Sequence, residues 1–373
     1  MKLLGGLSAQ AFLSRYWQKT PLLVRQAFPN LESLVSGDEL AGLATESEVE
    51  SRLVTAGDWR LRHGPFYDED FTALPEKDWT LLVQAVDHWV PEVAALFDHF
   101  HFLPAWRLDD IMISYATPGG GVGPHFDQYD VFLIQVEGRR EWRIGQSCTE
   151  ADDCRDDTEL QILVDFDEQE RWVLEPGDML YVPPGIAHWG TALDNGITYS
   201  VGFRAPSLAE TLVDFSQFVA ERSSEFDRYA DPDLSAREDA FRIIDEDIDR
   251  VQSLLQQLTS DRAALLEWFG RYMTEPKYAE APNDEAPLSP REIARKLDHA
   301  PLMRNQSARL AYVRGCLFVE GEALPTTLPM EGLKWLCEQK TIQPGDLGGS
   351  AEVGRLTLLA ELVNRDVFYF DEE

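Results

Sequence analysis

Residues 1–206 alternate short apolar runs with Gly and Pro corners, a texture that predicts a small β-barrel decorated with short helices. An amphipathic helix is expected after Ser8 at its N-cap, and 78–89 reads as another short helix. The runs 129–136 and 139–144, separated by Glu137 and Gly138, alternate as the two arms of a hairpin. In the second arm Arg140, Trp142 and Ile144 share one face, so Arg140 is expected to point into an apolar interior. From residue 207 the period becomes helical: 207–223, then 239–258 with an apolar stripe from Phe241 and Ile248 through Leu255 and Leu258, then 261–273. The Pro-rich acidic stretch 275–290 reads as a linker. Beyond it Ser289 caps a helix with Pro290 in its first turn. Strands at 308–315, 316–319 and 367–370 and helices at 329–339 and 351–364 then outline a small α/β module. The expected division is 1–206, 207–275 and 276–373.

Chemistry concentrates in the barrel. In Gly123-Pro124-His125-Phe126-Asp127 the first and third residues of His-x-Asp point to one side of an extended strand, so both can reach one ion while Phe126 turns away. A third ligand is expected from Glu175-Pro176-Gly177 through Pro183-Pro184-Gly185-Ile186-Ala187-His188, where a short apolar strand between two Pro-Gly corners delivers His188. Two imidazoles and one carboxylate leave adjacent coordination positions open, the arrangement of non-haem Fe(II) oxygenases. A dicarboxylate co-substrate chelating that iron would present its far carboxylate to the planar fork of Arg140.

The second half of this set, Gly177, Pro183, Gly185 and His188, resembles the second motif of cupins, with Ala192 where Asn is usual. The first half departs from that pattern: Asp127 replaces the second histidine, and the usual Glu position falls among Val131 and Phe132. The likeness narrows to JmjC-type 2-oxoglutarate oxygenases, in which a basic residue two after the turn glycine binds the far carboxylate. It narrows further to the bacterial ribosomal oxygenases, on the segment from Asp110-Ile111-Met112-Ile113-Ser114-Tyr115 to Asp130-Val131-Phe132, on Gly138-Arg139-Arg140-Glu141-Trp142-Arg143, and on Tyr199-Ser200-Val201-Gly202-Phe203-Arg204-Ala205-Pro206. Upstream, Tyr16-Trp17-Gln18-Lys19-Thr20-Pro21 and Gly37-Asp38-Glu39-Leu40 extend it.

The resemblance implies an α+β chain: a double-stranded β-helix (jelly-roll) barrel, a helical dimerisation region and a winged-helix-like C-terminal domain. It implies Fe(II) on His125, Asp127 and His188, 2-oxoglutarate on Arg140 and Ser114, and O2 as oxidant. The expected reaction is hydroxylation of an arginine in a large-subunit ribosomal protein, by a homodimer. Where some relatives have a second serine this chain has Ala116, so one hydroxyl carries over.

Composition bounds the partners. The formal charge of -33 repels nucleic acid and attracts basic proteins, although such a charge also serves solubility. The C-terminal module offers no concentrated basic face and ends in Asp371-Glu372-Glu373, which argues for a protein-interaction or scaffold role over DNA binding. Cys148, Cys154, Cys316 and Cys337 lack metal-type or dense disulfide spacing and suit a reducing compartment. The N-terminal apolar run falls below the ~7–15 residues of an export signal, and nothing approaches the ~18–20 of a membrane span, so a cytoplasmic location is expected. Two other readings stand beside the oxygenase. A small-molecule cupin dioxygenase or isomerase would not need Arg140, and a non-enzymatic metal-binding module would close its site with a fourth ligand.

Overall fold

The computed structural model describes residues 2–224, 226, 228–278, 286–343, 345–346 and 352–371. Residues 279–285 of the expected linker, Ala351 of the expected last helix, and Glu372 and Glu373 of the acidic end lie outside them. The chain forms two units, Met1–Ala205 and Pro206–Glu373.

The first unit contains helices α1 (Ala9–Arg15), α2 (Gly37–Leu43), α3 (Asp68–Thr72) and α4 (Pro91–Ala94). Its strands are β1 (Leu22–Val24), β2 (Ser51–Thr55), β3 (Arg60–His63), β4 (Trp79–Val83), β5 (Leu108–Ala116), β6 (Val131–Glu137), β7 (Arg140–Ser147), β8 (Glu170–Leu174), β9 (Met179–Val182), β10 (Ile186–Ala192) and β11 (Gly196–Phe203). Eight pair in the order β1-β9-β6-β11-β5-β4-β2-β3, and three in the order β10-β7-β8. The pairings are antiparallel.

The two sheets enclose a small apolar interior: Val131 and Leu133 of β6 and Leu180 and Val182 of β9 meet Trp142 and Ile144 of β7 and Leu174 of β8. The alternate residues of β6 and β9, among them Phe132, Ile134, Met179 and Tyr181, face a second core covered by α1 and α2. A strand between two cores is apolar on both sides, which explains the nearly unbroken apolar run from Val131 to Val136. The result is a double-stranded β-helix.

Several expectations need correction. Residues 78–89 are not one helix: β4 takes 79–83 and a 3-10 turn takes 86–88. The run Trp79-Thr80-Leu81-Leu82-Val83 is buried between β2 and β5, where burial on both faces erases the period that separates strand from helix. The expected hairpin is also absent. β6 pairs with β9 and β11, whereas β7 pairs with β8 and β10, so Glu137 and Gly138 carry the chain from one sheet to the other. Gly138 has φ +64, and a Cβ there would fall 2.3 Å from the carbonyl oxygen of Asn195.

In the second unit α5 (Leu208–Ala220), capped by Ser207, packs Phe215 and Phe218 against Trp268 of α7 (Arg262–Thr274). Between them α6 (Asp245–Ser260) starts six residues later than the sequence suggests. Asp247 accepts the Ile244 N–H at 3.1 Å and pairs with Arg237, fixing the first turn there and leaving Phe241 98% exposed outside the helix. Next come α8 (Pro290–Leu297), β12 (Leu302–Arg304), β13 (Leu310–Val313), β14 (Cys316–Val319), β15 (Glu322–Pro325), α9 (Met330–Glu338), β16 (Thr341–Ile342), α10 (Glu352–Val363) and β17 (Phe368–Phe370). They form two three-stranded sheets, β16-β12-β17 and β13-β14-β15, around a core that includes Ile293, Leu302, Leu317, Leu333 and Leu359. Among the described residues no helix is long and apolar enough to cross a membrane.

Candidate metal centre and its anion pocket

His125 and Asp127 sit in the loop between β5 and β6, not on the expected strand; His125 makes an isolated bridge with His188. His188 in turn is the third residue of β10 rather than the end of the strand before it. The loop is fixed without a ladder of its own. The Gly185 N–H donates to the Asp127 carbonyl at 2.8 Å, and the Leu163 N–H to that of Pro124 at 2.8 Å. Three residues past Asp127, the buried carboxylate of Asp130 accepts from the Tyr181 hydroxyl (2.6 Å), Gln18 Nε2 (3.0 Å) and Arg107 Nη2 (3.1 Å).

One ligand atom from each of His125, Asp127 and His188 lies within 4.8 Å of the others. Each histidine places Nδ1 3.0 Å from the carbonyl two residues earlier, Gly123 for His125 and Ile186 for His188. A carbonyl only accepts, so Nδ1 carries the proton and the Nε2 lone pair is free for a cation. Burial, helped by His125 and opposed by Asp127, lowers the His188 pKa to about 4, so this imidazole is neutral at physiological pH. Gly190 opens the space behind it: a Cβ there would lie 2.7 Å from the ring of Trp142, which stands 5.8 Å from the His188 ring. Beside Asp127, the Tyr129 phenol is raised above its usual value, by burial first and then by Asp127, with Asp110 adding to the shift and Arg52 opposing it, although the residue as a whole is 43% exposed.

Across the interior, the register sets Ser114 of β5, Thr198 of β11 and Gln135 of β6 abreast in one row. Arg140 of the opposite sheet reaches this row, its Nη1 donating to Ser114 Oγ (3.1 Å) and Thr198 Oγ1 (3.2 Å). The Arg140 side chain is buried, has no hydrogen-bond partner for Nε among the described residues, and burial alone lowers its pKa to about 10. It therefore remains a cation, facing hydroxyls instead of a carboxylate. Nearby, the buried Trp142 Nε1 likewise has no acceptor among the described residues. Unsatisfied donors in a buried, cationic pocket fit an acceptor-rich anion, and an open His, Asp, His set fits a divalent metal with exchangeable positions. The sequence pattern alone does not mark Gln135 and Thr198 as site residues. The available signal was one polar residue inside the apolar run Val131 to Val136, and a Thr on the face opposite Ile197 and Tyr199.

This fold and pocket define the JmjC class of double-stranded β-helix proteins, and the JmjC domain family matches residues 95–211. A ROXA-like winged helix family matches residues 254–369. Within that class, the chain belongs to the bacterial ribosomal oxygenases. It is 39% identical over 368 residues, 96% of this chain and 97% of the relative, to the ribosomal protein uL16 3-hydroxylase of Escherichia coli. A probable ribosomal oxygenase of Haemophilus influenzae is 37% identical over 62% of this chain and 56% of its own. The structure of YcfD, a ribosomal oxygenase from Escherichia coli, in complex with cobalt and 2-oxoglutarate, aligns with a TM-score of 0.87 at 38% identity, covering 98% of this chain and 99% of that one.

Proposed function

We propose that this chain is an Fe(II)- and 2-oxoglutarate-dependent oxygenase that hydroxylates an arginine side chain of a large-subunit ribosomal protein. The observation that carries the reading is Arg140, a buried cation without a carboxylate, in the barrel that also holds the His125, Asp127, His188 cluster. In this reading those three side chains hold the iron, and Arg140 with Ser114 holds the far carboxylate of 2-oxoglutarate. Metal and co-substrate supply the oxidation: O2 and 2-oxoglutarate are consumed, succinate and CO2 leave, and a C–H bond becomes C–OH. The protein's part is placement. The carbonyls of Gly123 and Ile186 hold both imidazoles with Nε2 forward, and Trp142, Ile144 and Leu133 exclude water from the pocket.

The nature of the target rests on charge and on the relative's name. The uL16 3-hydroxylase acts, by that name, on a ribosomal protein, and a chain of charge -33 attracts basic partners of that kind. Mass spectrometry of ribosomal proteins from cells with and without the gene tests this. The expected result is one added oxygen on an arginine, lost on deletion; unchanged ribosomal proteins, or oxygen on another residue type, would overturn it.

We further propose that residues 207–275 build a homodimer from two copies of this chain. Ile248, Val251 and Leu255 on α6 are 42–57% exposed, and Leu208, Leu212 and Val213 on α5 are 63–84% exposed. Exposed apolar residues on two helices suit an isologous interface between two copies. A cytoplasmic location accords with a ribosomal substrate.

A further inference from the structure

The row of Ser114, Thr198 and Gln135 has a hydrogen-bond polarity that can be read from its fixed end. The carbonyl of Glu137 can only accept, and Gln135 Nε2 donates to it at 2.7 Å. That fixes the orientation of the amide, so Gln135 Oε1 faces Thr198 and accepts its hydroxyl proton at 3.0 Å. With its single proton committed, Thr198 Oγ1 meets Arg140 Nη1 as an acceptor, at 3.2 Å. Ser114 is placed differently. Its oxygen also accepts from Arg140, but its own proton makes only a long 3.4 Å contact to the Thr198 carbonyl. The two hydroxyls beside the guanidinium are therefore unequal: one is locked as an acceptor and the other can turn its proton to a ligand.

We propose that Gln135 is a positioning residue that sets this polarity through Thr198, fixing the Arg140 guanidinium and leaving Ser114 as the hydroxyl that donates to the distal carboxylate. The proposal rests on the dicarboxylate reading of the pocket. Gln135 is 1% exposed and Thr198 2%, so neither partner is open to bulk water. Without Gln135, Thr198 is free to turn its proton toward the pocket, and the guanidinium loses the acceptor that holds its plane.

Calorimetric titration of the cobalt-loaded protein with 2-oxoglutarate, and with 2-oxopentanoate, which lacks the distal carboxylate, tests this. Gln135→Met keeps volume and removes both hydrogen bonds. It should weaken 2-oxoglutarate binding about tenfold while leaving cobalt and 2-oxopentanoate binding unchanged. Thr198→Val should match it and Thr198→Ser should behave as wild type. The double variant should be no weaker than Thr198→Val, because Gln135 acts through Thr198. Wild-type affinity in Gln135→Met, or fully additive losses in the double variant, would overturn the proposal. If wild type binds the two oxoacids equally, the dicarboxylate reading itself fails, and this inference with it.

Discussion

His125 and His188 hold each other by the main chain: the N–H of His125 donates to the carbonyl of His188 at 3.0 Å, and the N–H of His188 to that of His125 at 2.8 Å. Directly opposed residues of an antiparallel pair project to the same face, so one bridge brings together two imidazoles that enter from a loop and a strand. Their ring centroids are 4.3 Å apart. Asp127, tied through its carbonyl to Gly185, completes the set from the same loop.

The geometry is therefore set by backbone hydrogen bonds, which a side-chain change at Asp127 does not remove. Asp127→Ala should keep the metal-free thermal midpoint close to wild type. Its metal affinity should fall by more than about 100-fold, since changes to outer-shell partners alone cost about 10–100-fold. Metal content after dialysis and turnover of 2-oxoglutarate are the measurements. A variant that still decarboxylates 2-oxoglutarate at the wild-type rate would remove Asp127 from the ligand set.

Arg140 separates stability from binding. In the metal-free protein its guanidinium is a buried charge with no counter-charge among the contacts at Ser114 and Thr198, and such a group costs stability relative to an apolar side chain of similar size. Arg140→Met is thus expected to leave the melting temperature of the metal-free protein unchanged or higher. The same substitution leaves the far carboxylate of 2-oxoglutarate unpaired and should weaken its binding by about 2–5 kcal/mol, with metal affinity little changed. Calorimetry on the metal-loaded variant decides the matter. Equal losses for metal and co-substrate would reduce Arg140 to a structural role.

What the sequence made legible follows from locality. His125, Asp127 and His188 stand beside Gly and Pro corners, and the burial of Arg140 follows from the two-residue alternation of β7, which one strand displays by itself. Strand partners are not local. The turn at Gly138 reads the same whether the chain folds back on its own sheet or crosses to another, and only the pairing of β6 with β11 and of β7 with β10 distinguishes them. The same limit hid Thr198, which meets Gln135 and Ser114 only because β11 lies between β5 and β6. The start of α6 is non-local in the same way: Arg237 and Asp247, ten residues apart, decide it.

The depressed pKa of His188 predicts a pH dependence in the metal-free protein. Burial holds the folded value near 4, against 6.5 for the unconstrained group, so between these values the unfolded chain binds a proton that the native state does not. Stability is therefore full above about pH 6.5 and is lost as pH falls toward 4, by a few kcal/mol in order of magnitude. Denaturant titrations of metal-free protein across that window should show the slope, and His188→Gln should flatten it. An identical slope in the variant would assign the acid sensitivity to other groups.

The apolar face of α6 bears on assembly. Ile248 and Leu255 are seven residues apart, two turns of one helix face, and are 54% and 57% exposed within a single chain. Residues of this kind, repeated along a helix whose remaining residues are polar, leave an apolar stripe suited to association. A two-fold arrangement covers it with its own copy, since an isologous contact uses the same patch twice. Charged side chains there would have to be desolvated or paired on association, so Ile248→Asp with Leu255→Lys, or either alone, should shift the protein toward monomer in sedimentation velocity at micromolar concentration. Turnover measured on the monomeric variant would then report whether a barrel works alone. Wild-type protein that is folded, active and monomeric at that concentration would refute the dimer and leave the stripe for a different partner.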